Sequence, residues 1–158
     1  MKLNDWFKLA MAVIVIELVG AAGAIFTAPA IPAWYEGIVK PFLNPPSWVF
    51  GPAWTLLYLL MGIAAFLIWR HGYKKKKVKR ALSVFAVQLG LNAIWTPIFF
   101  GAQNPALAFV DIVLLWIAIL YTILLFYKIS RPAAYLLIPY ILWVSFASYL
   151  NLSIWILN

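Results

Sequence analysis

Apolar residues along this chain gather into five long runs, at about 6–27, 48–69, 81–100, 106–127 and 133–157. At roughly 1.5 Å of rise per helical residue, each can cross about 30 Å of hydrocarbon. None alternates polar and apolar positions over a strand's length, which argues against a β-barrel. Backbone amides in lipid must find partners inside their own segment, and that leaves helices. The predicted fold is all-α, an integral membrane bundle of five transmembrane helices forming one domain over 1–158, with a long loop at 28–46.

The polar positions inside these runs are ordered. Gln88, Asn92 and Trp95 fall at i, i+4 and i+7 of the third span, one helical face. Trp54, Tyr58, Met61 and Ala65 make a similar stripe in the second span, and Tyr140, Trp143, Ala147 and Asn151 share a sector of the fifth. Aromatic rings beside sparse amides suit a flat, largely apolar ligand with a few polar edges. The same rings could instead be packing or interface anchors, as Trp6, Trp69 and Trp155 near span ends are read. Pro52, Pro97 and Pro139 mark expected kinks or freed carbonyls. Two acids lie within spans: Glu17 at depth, as a functional or polar-paired group, and Asp111 near a span end, as a solvated or helix-capping one.

Composition narrows the chemistry. With 66% hydrophobic and 10% charged residues in 158, five spans use nearly all the apolar content and leave no room for a soluble domain. There is no Cys and one His, His71, so thiol chemistry and a metal site are not expected. The formal charge of +8 does not point to nucleic acid. Seven of the twelve Lys and Arg lie between Arg70 and Arg80, and with Lys2, Lys8, Lys128 and Arg131 they fall on one face of a five-span bundle, leaving Lys40 alone on the other. The positive-inside rule then places the N-terminus and the 70–80 loop in the cytoplasm, and the 28–46 loop and C-terminus outside. A competing reading, a cleaved signal peptide over Met1–Ala24, needs a shorter apolar run than this one. Gly20 and Ala24 otherwise form a small-xxx-small pair for close helix packing.

The 28–46 loop holds Pro29, Pro32, Pro41, Pro45 and Pro46 with Trp34, Tyr35 and Phe42. It is long for a helix joint, and its prolines lower the entropy lost on ordering it. A lid over a pocket and an interfacial anchor both fit.

The motifs Trp34-Tyr35, Lys40-Pro41 and Asn44-Pro45-Pro46-Ser47-Trp48-Val49-Phe50-Gly51-Pro52-Ala53-Trp54-Thr55, with Tyr58 and Met61-Gly62, resemble the translocator proteins, also called TspO, tryptophan-rich sensory proteins or peripheral benzodiazepine receptors. So do Gln88-Leu89-Gly90-Leu91-Asn92, Trp95, Pro97-Ile98-Phe99-Phe100-Gly101, Asp111, Pro139-Tyr140, Trp143, Phe146-Ala147 and Leu150-Asn151. The resemblance is to a compact, bacterial member of the cell membrane. It implies a five-helix bundle, commonly a homodimer, with a cavity that binds porphyrins such as protoporphyrin IX and benzodiazepine or isoquinoline carboxamide ligands. By position the cavity would draw on Tyr35, Trp54, Tyr58, Gln88, Asn92, Trp95, Trp143, Ala147 and Leu150. Some members are implicated in light-dependent porphyrin breakdown, for which Trp54 and Trp143 are the catalytic candidates, with porphyrin as ligand or substrate and no cofactor required. The animal sterol motif is not matched, since Leu150 is followed by Asn151-Leu152-Ser153-Ile154-Trp155 without a base.

Two further functions remain open at this stage. One is a transporter of tetrapyrroles or other flat amphiphiles. The other, outside the family, is a proton-coupled exporter of aromatic cations that uses Glu17.

Overall fold

The computed structural model describes residues 3–158 and contains six α-helices over that range. Helix α1 spans Leu3–Ala30 and runs on through a π-helical turn, Ile31–Tyr35. A 3-10 turn at Ser47–Val49 opens into α2, Phe50–Trp69. Helix α3 covers Lys76–Thr96 and ends in a second π turn, Pro97–Gly101. Then follow α4, Pro105–Tyr127, a short α5, Arg131–Tyr135, and α6, Ile138–Leu157. Five helical segments are long and apolar enough to cross a membrane, α5 and α6 together making the fifth. No strand occurs among the described residues.

Several boundaries differ from the sequence expectation, each for a local reason. The predicted loop at 28–46 is helical as far as Tyr35, and only 36–46 is irregular before the 3-10 turn. Prolines without an N–H shift the hydrogen-bond ladder there rather than ending it: Glu36 N donates to Ile31 O at 2.9 Å, and Ala102 N to Pro97 O at 2.8 Å. The third helix begins at Lys76, five residues early, because lysine is a good helix former whose stem can lie along an apolar surface. Pro52 sits in the first turn of α2 and kinks nothing, since no N–H is needed there. Pro139 leaves the Tyr135 carbonyl without its helical donor, and the fifth span is divided between Tyr135 and Ile138. Gly72, with φ +106°, closes the turn after α2 in a conformation that costs glycine little.

Helix α1 packs chiefly on α2, α4 on both α3 and α6, and α5 on α2 and α4. The α1–α2 seam is close: a Cβ at Gly62 would lie 2.8 Å from the Val13 Cα, so only glycine fits. Met61, Ile68, Leu115, Phe126 and Tyr140 are fully buried at the centre, where Phe85 stacks on Phe126 with ring centroids 5.7 Å apart. The outer surface carries exposed Ile14, Leu18, Leu114, Ile117, Leu124 and Leu142. Apolar exposure on that scale is untenable in water and natural against acyl chains. Of α1, only Ile16 and Ala30 are buried, so this helix leans on the bundle at one side.

Candidate functional site

Towards the 36–46 end the helices stand apart and enclose a cavity of about 320 Å³. Its size is that of a small-molecule site. Helix α2 supplies Trp54 and Tyr58, α3 supplies Trp95 and Thr96, and α6 supplies Trp143, Ala147 and Leu150. The π turn after α3 adds Phe99 and Phe100, and the one after α1 closes the top with Ile31 and Tyr35. Helix α1 offers small residues, Gly20, Ala21, Gly23 and Ala24, together with Glu17. On this side Ala21, Ala24, Gly51 and Thr55 are exposed as well as cavity-lining, so the gap between α1 and α2 opens to the membrane side.

The rings hold each other in fixed orientations. Trp54 stacks on Tyr58 at 5.5 Å and meets Trp143 edge-on at 6.5 Å. Trp95 stacks on Phe99 at 4.8 Å, and Phe99 meets Phe100 edge-on at 4.9 Å. Hydrogen bonds fix the indoles further. Trp95 Nε1 donates to Asn151 Oδ1 at 3.0 Å, while Asn151 Nδ2 donates to Pro105 O at 2.7 Å, which ties α3, α6 and the start of α4 together. Trp143 Nε1 is buried and has no acceptor among the described residues.

Beneath the cavity lies a buried polar chain. Tyr58 donates to Asn92 Oδ1 at 2.6 Å, Asn92 Nδ2 donates to the Tyr140 hydroxyl at 3.1 Å, and Tyr140 donates to Gln88 Oε1 at 2.9 Å. Buried groups of this kind hold helices in one register when each is satisfied. Gln88 Nε2 is the exception, with no acceptor among the described residues.

Of the nine residues expected in the cavity, Tyr35, Trp54, Tyr58, Trp95, Trp143, Ala147 and Leu150 line it. Asn92 reaches only a pocket of about 20 Å³ in the floor, and Gln88 touches neither space, because both amides are engaged in the chain below. Asp111 is neither solvated nor a cap. It is buried one turn and more into α4, its Oδ2 lacks a partner among the described residues, and the cap is Asn104, whose Oδ1 accepts from Leu107 N at 3.0 Å. Phe99, one turn beyond Trp95 on the same face, lines the cavity with Phe100 and the α1 wall, none of which was among the nine expected. Pro97 ahead of two phenylalanines was the available signal for the first pair, since a proline-loosened turn re-aims the rings that follow it.

The 36–46 segment is tied down without touching the cavity itself. Tyr35 donates to Asn44 Oδ1 at 2.7 Å, and the Lys40 ammonium lies 5.0 Å from the Tyr35 ring centroid. Val39 exchanges two hydrogen bonds with the Asn158 side chain, each 3.0 Å. Phe42 and Trp48 point outward and are exposed, as interfacial anchors are, while Trp34 turns inward to meet Phe99 edge-on at 5.5 Å. Among the described residues, no group of three His, Asp or Glu side chains could hold a metal ion.

Residues 12–156 match the TspO/MBR family. The chain is 46% identical over 151 residues to the tryptophan-rich protein TspO of Archaeoglobus fulgidus, covering 96% of this chain and 97% of that one. It is 47% identical over 150 residues to the protein of the same name from Chlorobaculum tepidum, covering 95% of each. The human translocator protein is 42% identical over 124 residues, 77% of this chain and 73% of its own.

Proposed function

The chain belongs to the TspO/MBR family of multi-pass membrane proteins, and on that premise we propose that it is a membrane receptor for flat aromatic ligands. Its ligands are porphyrins such as protoporphyrin IX, and smaller molecules of the benzodiazepine and isoquinoline type, held between the helices. The observation that carries this reading is the cavity lined by the rings of Trp54, Tyr58, Trp95, Phe99 and Trp143. Stacking on Trp54 and Trp95 supplies affinity without demanding a particular polar pattern. A tetrapyrrole is larger than the enclosed space and would extend into the gap between α1 and α2, whereas a two- or three-ring ligand fits within it.

Trp54 and Trp143 meet edge-on, so an excited porphyrin stacked on one would be in contact with a redox-capable pair. That contact supports porphyrin breakdown in light and oxygen as a second proposed activity of the same site. The orientation is the one set by the lysine-rich 70–80 loop, cytoplasmic in a bacterial cell membrane, with a homodimer as the assembled form.

The test is titration of protoporphyrin IX into the purified protein, with tryptophan quenching as readout, followed by illumination with and without oxygen. Wild type is expected to bind and to consume porphyrin faster than free photobleaching. The Trp54→Phe/Trp143→Phe variant is expected to lose the consumption. Binding with consumption no faster than the control would leave reception and remove the degradation step.

A further inference from the structure

Glu17 stands alone in a place where a charge is costly. It lies in the middle of α1, about 21 Å of helix rise from Leu3, and its side chain lines the cavity. It is the single charged residue on the wall, and no ion pair or hydrogen bond to it occurs among the described residues. Cations are far from it in the chain. Lys8 is engaged over the Trp69 ring at 5.9 Å, and Lys40 sits over Tyr35 at the opposite end of the cavity. Gly20, one turn on, faces the Tyr58 ring so closely that any Cβ would collide with it, which sets Glu17 on the same helix face as the aromatic wall of α2. Ionisable groups at membrane depth face a partner or a pathway, and here the space in front of the carboxylate is the ligand cavity.

A carboxylate opposite stacked π faces is the pair of features that recognises a delocalised organic cation: the rings attract the charge through their quadrupoles and the carboxylate neutralises it. We propose that Glu17 is a specificity-determining residue that makes this cavity prefer flat aromatic amines, carried as cations, over neutral molecules of the same shape. The proposal rests on the reading of the cavity as a ligand site. It also orients anionic ligands. A carboxylate-bearing edge is repelled from the Glu17 end.

The experiment compares proflavine, a three-ring cation at neutral pH, with acridine, the same three-ring skeleton without the two amino groups and neutral at that pH, and with protoporphyrin IX, which carries two carboxylates. Protein is placed in phosphatidylcholine nanodiscs, with empty nanodiscs subtracted for partition. Wild type is expected to bind proflavine about tenfold tighter than acridine, the scale of a desolvated cation–π contact with a carboxylate beside it. Glu17→Gln should abolish that preference and tighten protoporphyrin IX binding a few-fold by removing a like charge, opposite signs that misfolding could not produce. Glu17→Asp, which keeps the charge, should keep the preference. Equal affinities in wild type, or an undiminished preference in Glu17→Gln, would overturn the assignment. If the acridines discriminate while the porphyrin does not bind, Glu17 stands and the porphyrin reading fails; if no probe binds, both fail.

Discussion

The two ends of this bundle are made of the same helices and differ in how closely those helices approach. At the lysine-rich end Gly62 lets α1 lie against α2, and Ile68, Val78 and Phe126 are fully buried. At the other end bulky rings on α2, α3 and α6 face small residues on α1, and the space between them stays open. The boundary between the two halves is the Tyr58–Asn92–Tyr140–Gln88 chain, which crosses three helices. A cavity in a bundle needs a rigid half to hold the open half apart. Here close packing and buried hydrogen bonds supply it, since lipid offers no hydrophobic force between helices.

That comparison can be broken most forcefully at the seam. Gly62→Leu drives a side chain into the Val13 backbone, and a destabilisation of roughly 3 kcal/mol is expected, the upper range for overpacking. A fall in the thermal midpoint in detergent, with ligand affinity lost alongside it, is the measurable result. Next comes Asn92→Ala, which strips the Tyr58 hydroxyl of its acceptor and the Tyr140 hydroxyl of its donor. A cost of about 1–3 kcal/mol follows from leaving buried groups unsatisfied. Replacing Tyr140 by Phe in the same background should cost less than the two single changes summed, which a double-mutant cycle on the thermal midpoint reads.

The smallest effect belongs to the open end. Asn158→Ala removes the two bonds to Val39, and a few-fold faster ligand release is expected with the stability within about 0.5 kcal/mol of wild type. Stopped-flow displacement of a bound fluorescent ligand measures it. An unchanged release rate would mean that the 36–46 segment does not gate the cavity.

The span count and helical class were legible because five apolar runs leave a membrane chain few options, and stripes such as Trp54, Tyr58 and Met61 name a face directly. What the stripes could not give was how far along the face the cavity extends. Gln88 and Asn92 share a face with Trp95, yet they lie deeper, where neighbouring tyrosines claim them. Periodicity fixes azimuth and says nothing of where two helices diverge. Asp111 misled for a related reason, since nearness to a span end does not set which side of the helix is buried. The continuation of α1 to Tyr35 was hidden because Pro29 and Pro32 fall where the apolar run ends, although in a membrane helix proline shifts the ladder instead of ending it. The small residues of α1 read as a packing seam alone, whereas Gly20 both lies against the Tyr58 ring and lines the cavity.

Filling the cavity tests the account most directly. Ala147 borders both the main space and its floor pocket, so Ala147→Phe places a ring in volume that is otherwise open. Protoporphyrin IX titration and thermal midpoint, measured on the same preparation, should show affinity reduced by more than about tenfold with the midpoint unchanged or raised. Wild-type affinity in a folded Ala147→Phe protein would contradict the placement of the ligand between the helices.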